Sequence, residues 1–280
     1  MGRVTTRKPV LRIDLAAGST DRRPDTLVVE EPLEIRVGGD SLAVTMRTPG
    51  HDMELAAGFL VSEGVIWATE HIRAQRYCAG ATVEGVNTYN LLDVDLAPGV
   101  AAPTDAVRRS VFTSSSCGVC GKASLDAVRT TAVFDLRADA TVVDAAVIAT
   151  LPDRLREEQA VFDRTGGLHA AGLFTAAGEL LVLREDVGRH NAVDKVVGWA
   201  LQNGRLPLTG TVLQVSGRAS FELVQKAWMA GIPVLSAVSA PSSLAVELAA
   251  EAGMGLLGFV RGPRMNVYAG TERVRVPVPA

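Results

Sequence analysis

The sequence predicts an α/β protein, with a smaller N-terminal α+β domain followed by a C-terminal α/β domain. Three observations predict it. From residue 190 onward, apolar β-branched runs alternate with helical stretches closed by glycine, the pattern of a largely parallel sheet covered on both faces. The first hundred residues instead carry paired strand signals around a Gly-Gly turn and one helix. Of the 280 residues, 48% are apolar, ample for a core, and no apolar run reaches the roughly 18 residues of a membrane span.

Residues 1–25 are polar and Pro/Arg-rich and read as a loose lead-in with one strand near 10–15. The N-terminal domain, 26–110, opens with strands at 26–37 and 41–46 joined by the hairpin signal Gly38-Gly39-Asp40. A turn, Arg47-Thr-Pro-Gly-His-Asp52, leads into a helix at 53–62, with Leu55, Phe59 and Leu60 at helical spacing and Gly64 as its C′ glycine. Further strands are expected at 76–79 and 89–96. A connector at 97–113 ends in an arm, 111–122, that carries two cysteines. The C-terminal domain, 123–264, begins with a helix at 123–131 and helical patterning over 143–161, interrupted at Pro152. A hairpin follows at 168–175 and 179–184. Helices at 190–203, 220–230 and 242–252 then alternate with strands at 211–215, 233–238 and 255–260. A strand and tail fill 265–280.

Net charge is −3, which argues against a protein that coats nucleic acid or an anionic membrane. The start, Met1-Gly-Arg-Val-Thr-Thr-Arg-Lys-Pro9, has no apolar core of signal-peptide length. The expectation is a cytoplasmic protein whose thiols begin reduced.

The arm reads Phe112-Thr-Ser-Ser-Ser-Cys117-Gly-Val-Cys120-Gly-Lys122 and holds two of the three cysteines. Cys-x-x-Cys spacing lowers one thiol's pKa, because the second thiol and nearby N–H groups stabilise the thiolate. Four readings compete. A structural disulfide wants an oxidising compartment. Zinc wants four ligands, and Cys78 with His51, His71, His169 and His190 supplies no second spaced pair, so no metal is expected. A thioredoxin-like pair wants the motif opening a helix after a strand. The last reading is a sulfur-handling thiol that carries a persulfide, and the motif alone does not choose it.

Ligands of open α/β sheets bind beyond the carboxyl ends of the strands. Four such loops are Glu185-Asp-Val-Gly-Arg189-His190, Ser216-Gly217-Arg218-Ala-Ser220, Ser239-Ala-Pro-Ser-Ser243 and Arg261-Gly262-Pro263-Arg264. Glycine and serine admit a backbone close to a ligand, and arginine forks onto phosphate. Singly these are ordinary caps and turns; together they predict an anion pocket for a phosphorylated or nucleotide ligand. His190 and Asp194 are spaced for acid–base work or for a surface pair. His169 reads as a structural histidine, and Cys78 as a small buried hydrophobe.

Five blocks in order resemble the FdhD family of formate dehydrogenase accessory sulfurtransferases. They are the Cys117–Cys120 arm, Arg47-Thr-Pro-Gly-His-Asp-Met-Glu-Leu-Ala-Ala-Gly-Phe-Leu60, Phe162-Asp-Arg-Thr-Gly-Gly-Leu-His-Ala-Ala-Gly172, Glu185-Asp-Val-Gly-Arg-His-Asn-Ala-Val-Asp-Lys195 and Val215-Ser-Gly-Arg-Ala-Ser220. The agreement spans about residues 26–270. The resemblance implies a C-terminal domain of the cytidine deaminase-like three-layer α/β/α fold and a homodimer. It implies a sulfur carrier that takes persulfide sulfur from a cysteine desulfurase and passes it to the molybdenum cofactor, bis-molybdopterin guanine dinucleotide, for formate dehydrogenase. Cys117 is then the persulfide site and Cys120 an assistant in release. Phe259, Val260, Arg261, Gly262, Pro263 and Arg264 are implied to bind the cofactor and its guanine nucleotide moiety. Ser216, Gly217, Arg218, Arg189 and His190 come from the loop argument. Two rivals stand beside this reading: a zinc deaminase, whose His-x-Glu motif is missing before the cysteines, and a non-catalytic cofactor-binding chaperone, which needs the loops without the thiols.

Overall fold

The computed structural model describes residues 3–78, 82–83, 86–87, 89–103 and 132–276. The arm with Cys117 and Cys120 and the helix expected at 123–131 lie outside the described residues. β1 (Thr5–Asp14) and β2 (Ser19–Val28) form an antiparallel hairpin. The expected loose lead-in is therefore two paired strands. Most positions on them are exposed and none is fully buried, so no apolar alternation announced them.

β3 (Glu31–Val37) and β4 (Asp40–Arg47) make the expected hairpin. Gly38 and Gly39, both at positive φ, take a turn that a side chain would strain. α1 (Asp52–Ser62) follows, then β5 (Ile72–Tyr77), the short pair β6 (Thr82–Val83) and β7 (Val86–Asn87), and β8 (Leu91–Leu96). The first sheet has the order β4-β3-β8-β5.

After the bridge strand β9 (Val143–Asp144) come α2 (Ala145–Glu157) and α3 (Ala160–Thr165). Pro152 lies inside α2 and does not interrupt it. An interior proline costs about 3 kcal/mol. Burial of Ile148, Leu151 and Leu155 along one face of α2, at roughly 1.5–3 kcal/mol each, outweighs that.

The remaining elements are β10 (His169–Thr175), β11 (Leu180–Asp186), α4 (Arg189–Gln202), β12 (Thr211–Val215), α5 (Phe221–Met229), β13 (Val234–Ala237), α6 (Ser243–Ala252), β14 (Gly255–Arg261), β15 (Arg264–Ala269) and β16 (Val274–Arg275). They build a six-stranded sheet, β11-β10-β12-β13-β14-β15. Only β12, β13 and β14 run parallel; the other pairings are antiparallel. The expected largely parallel sheet is thus a mixed one. Helical crossovers join the three parallel strands, whereas tight turns join β10 to β11 and β14 to β15, and a tight turn forces antiparallel pairing.

Helices cover both faces, as an α/β fold requires. α4, α5 and α6 pack on Leu213, Val215, Leu235 and Leu256. α2 packs on Val212, Val234 and Leu257. The first cluster continues through α1 to Leu33, Ile35, Leu92 and Val94 of the first sheet. α1 and α4 cross at glycines: a Cβ on Gly58 would lie 1.8 Å from the Asp194 carbonyl oxygen, and one on Gly198 1.8 Å from that of Glu54. Polar pairs surround the crossing. Lys195 and Asp186, both buried, meet at 2.6 Å, and Asp186 also accepts from Thr48 N and Asn191 Nδ2. Lys226 reaches both oxygens of Asp194 at 2.8 Å, and Ser62 donates to the same carboxylate.

Candidate functional site

The carboxyl ends of β12, β13 and β14 open into a cleft of about 710 Å3. That volume falls in the roughly 300–1,000 Å3 range of sites for drug-sized ligands. Ser216, Val238, Val260, Arg261 and Gly262 line its strand side. Pro152, Asp153, Leu155 and Arg156 of α2, then Gln159 and Phe162, close the opposite side, and Gly166, Gly167, Leu168 and His169 form a third wall.

Three polar lining groups, Ser216, Arg261 and Arg156, have defined partners. Ser216 Oγ accepts from Ala170 N at 2.9 Å, and Ser216 N donates to Ala170 O. This ties the end of β12 to the start of β10. Arg261 Nε donates to Val238 O at 3.1 Å, which fixes the base of an otherwise exposed guanidinium at the mouth. Arg156 stacks over the Phe162 ring at 4.6 Å and pairs with Asp163. Phe259 at φ 52 and Gly262 at φ 53 turn the chain from β14 toward β15.

Below the cleft two polar side chains interrupt the apolar face of the sheet. Gln214 and Ser236 are paired across β12 and β13 and fully buried. Gln214 Oε1 and Ser236 Oγ have no hydrogen-bond partner among the described residues. Orphaned buried acceptors cost about 1–3 kcal/mol each, and neither side chain lines the cleft itself. Arg189 Nε is likewise buried without a partner, and Arg189 lies beside Gly217 and the His169 ring.

His169 is half-buried. Burial pushes its pKa down, and the nearby charges of Arg189 and His190 push the same way against Asp186. It is therefore a neutral imidazole near neutral pH, able to donate through one nitrogen and accept through the other.

Of the residues nominated from sequence, the cleft gathers Ser216, Val260, Arg261 and Gly262. Gly217 and Arg189 adjoin His169 without lining it. Arg218, Phe259, Pro263 and Arg264 are exposed outside the lining. His190 faces elsewhere: its Nε2 lies 3.4 Å from Ser220 Oγ and 3.7 Å from Glu222. His190 first, then Ser220 and the local backbone N–H, hold the half-exposed Glu222 carboxyl down to about 2. Asp194, considered with His190 for acid–base work, is committed to Lys226 and Ser62. Cys78 is half-buried. His169, Gln159, Arg156 and Phe162 were not nominated for the site. His169 enters because β10 runs antiparallel to β12, which brings its first residue to the edge where the parallel strands end. Among the described residues, no cluster of three or more His, Cys, Asp or Glu is placed to hold a metal ion. No described helix is long and apolar enough to cross a membrane.

The family model of the FdhD/NarQ family matches residues 28–275. The chain is 66% identical over 275 residues to the sulfur carrier protein FdhD of Streptomyces avermitilis, covering 98% of this chain and 97% of that one. Against the protein of the same name from Mycobacterium tuberculosis it is 56% identical over 278 residues, covering 98% and 100%. A crystal structure from Desulfotalea psychrophila, described as a candidate formate dehydrogenase accessory protein, shares the fold with a TM-score of 0.75 at 24% identity, covering 98% of this chain and 100% of that one.

Proposed function

The chain belongs to the FdhD/NarQ family, and from that premise we propose that it is a cytoplasmic sulfur carrier serving formate dehydrogenase. The observation that carries this reading is the near full-length identity to proteins named sulfur carriers, in a chain that holds the Cys117–Cys120 pair. In the proposed reaction, Cys117 thiolate attacks the terminal sulfur of a persulfide on a cysteine desulfurase. The donor's S–S bond breaks, its cysteine leaves as thiolate, and Cys117 becomes the persulfide. Cys120 thiolate then attacks Cys117 Sγ. A Cys117–Cys120 disulfide forms and the outer sulfur leaves as sulfide, reduced by the two electrons the cysteines give up. The recipient is the molybdenum cofactor, bis-molybdopterin guanine dinucleotide, as bound substrate. Two equivalents of a cellular thiol then reduce the Cys117–Cys120 disulfide through a mixed disulfide and leave as their own disulfide.

The cleft supports this reading by its fit to a guanine nucleotide end of that substrate. Arg261 and Arg156 offer guanidinium donors for pyrophosphate, and Gly262, Gly166 and Gly167 admit backbone close to it. His169 and Ser216 offer neutral polar edges of the kind a base requires. The homodimer remains part of the proposal. A second reading, a cofactor-binding chaperone without sulfur transfer, needs the cleft but not the thiols of Cys117 and Cys120.

Intact-protein mass spectrometry after incubation with a cysteine desulfurase and free cysteine separates the two. The carrier reading expects a reductant-sensitive gain of one sulfur mass, kept in Cys120→Ala and lost in Cys117→Ala. No gain in the wild-type protein would leave the chaperone. Arg261→Ala is expected to weaken guanine nucleotide binding on the order of tenfold or more; unchanged affinity would remove the cleft from the mechanism.

A further inference from the structure

Beside α3 and the β1–β2 hairpin lies a second open pocket, of about 740 Å3, lined by Arg3, Thr5, Thr6, Arg7, Thr26 and Arg164. Strand geometry explains how it forms. Side chains two apart on a strand share a face, and backbone pairing continues past β1 through Val29 N to Val4 O. Arg3, Thr5 and Arg7 therefore share one face of the hairpin. Thr26 is the cross-strand partner of Arg7 and sits on that face too. The base of this face docks on the body: Val28 approaches Gly167, and Arg164 of α3 donates to Thr5 Oγ1 at 2.9 Å. Arg164 is thereby held over the same face as Arg3 and Arg7.

Three guanidinium groups thus converge with threonine hydroxyls, and no carboxylate lines the pocket. Among the described residues none of the three arginines has an ion-pair partner. Like charges gathered on one strand face repel, and an anion relieves that repulsion while using the forked donors. Asp163, the acidic neighbour in sequence, is drawn off to Arg156 on the cleft side.

We infer that this pocket is an oxyanion site for a phosphate or pyrophosphate group, separate from the cleft at the strand ends. Thr5 and Thr26 add hydroxyl donors that suit phosphoryl oxygens. The site does not depend on the sulfur-carrier reading, because it shares no residue with the cleft or the cysteine arm.

The test is isothermal titration of the full chain with inorganic pyrophosphate and, in a second arm, with GDP. The variants are Arg7→Gln/Arg164→Gln, Arg3→Gln and Arg261→Gln. All four arginines are exposed, and melting temperatures are read alongside to confirm folding. Pyrophosphate affinity is expected to fall at least about tenfold in Arg7→Gln/Arg164→Gln. A smaller fall is expected in Arg3→Gln, which leaves the Arg164–Thr5 bond intact. A binding event that survives Arg261→Gln and disappears in the double variant assigns the site. If GDP binding falls with it, the anion belongs to a nucleotide; if only pyrophosphate binding falls, it is a free oxyanion. A wild-type protein that binds neither, or a double variant that binds as the wild type does, overturns the inference.

Discussion

Replacing Gly198 by alanine tests the packing that joins the two sheets. In an isolated helix this change stabilises by about 1 kcal/mol, because glycine carries the larger entropy cost. Here the new Cβ would lie 1.8 Å from the Glu54 carbonyl oxygen and 2.5 Å from its carbon. Both obstacles are backbone, so no rotamer change relieves them. Reaching an ordinary non-bonded separation of roughly 3.5 Å requires α1 and α4 to part by more than about 1 Å. That movement stretches the 2.7 Å bond from Ser62 on α1 to Asp194 on α4. Overpacking of this kind costs up to about 3 kcal/mol, occasionally more. Set against the propensity gain of about 1 kcal/mol, the net loss is up to about 2 kcal/mol, or a fall in melting temperature of up to roughly 4–8 °C. The reciprocal Gly58→Ala should cost the same amount. The double variant should cost less than the sum, since helices already parted by one methyl admit the second. Calorimetry and urea unfolding measure all three. A Gly198→Ala protein as stable as the wild type, or more stable, would refute the crossing.

Two further outcomes follow from the buried charges. Lys195→Met strands Asp186, which is wholly buried, without its cation and should destabilise by about 3–5 kcal/mol. Adding Asp186→Asn should recover part of that in urea unfolding, and an unaltered midpoint for Lys195→Met would contradict the pairing. Glu54 concerns acid stability. Burial alone would raise its pKa, but the hydrogen bonds and charges of Arg184 and His51 outweigh burial and hold it at about 2, below the ordinary 4.5. A carboxyl depressed in the folded state contributes stability above its unfolded pKa and loses it as pH falls through the folded one. Wild-type stability should therefore drop between about pH 4.5 and 2 more steeply than that of Glu54→Gln; parallel curves would remove Glu54 from the acid response.

The helices and strands of the second half were legible because each is apolar on a fixed period and closed by a glycine. Gly204, Gly231 and Gly253 all take positive φ just past the ends of α4, α5 and α6. Strand direction was legible at the hairpin of β10 and β11, where a short turn forces it, but not between strands far apart in sequence: nothing in the apolar runs announced that β10 would also pair antiparallel with β12. The hairpin of β1 and β2 escaped for the opposite reason, since a strand exposed on both faces has no period to read. The segment from Glu185 to Lys195 reads as a ligand loop because it follows a strand and opens a helix, with His190 and Asp194 one turn apart. In the fold, Asp186, Asp194 and Lys195 are buried structural partners, and Glu185 accepts from Val161 N and Phe162 N at the start of α3.

The same misjudged strand direction explains the partial reading of the site. Counting only carboxyl ends of parallel strands found Ser216, Arg261 and Gly262, because β12 and β14 do run parallel. It passed over His169, whose strand begins where the others end. The histidine, the Ser216–Ala170 tie and the wall from Gln159 to Leu168 belong to the cleft through one antiparallel pairing, β10 with β12. A register change in that pairing would move His169 and Ser216 together. Gly172 guards against such a change, because it sits beside Gln214 in the register with Leu155 and Phe174 filling the space a side chain would need. A substitution at Gly172 should therefore disturb ligand binding from a position within the strand rather than at its edge, with the loss appearing at both His169 and Ser216.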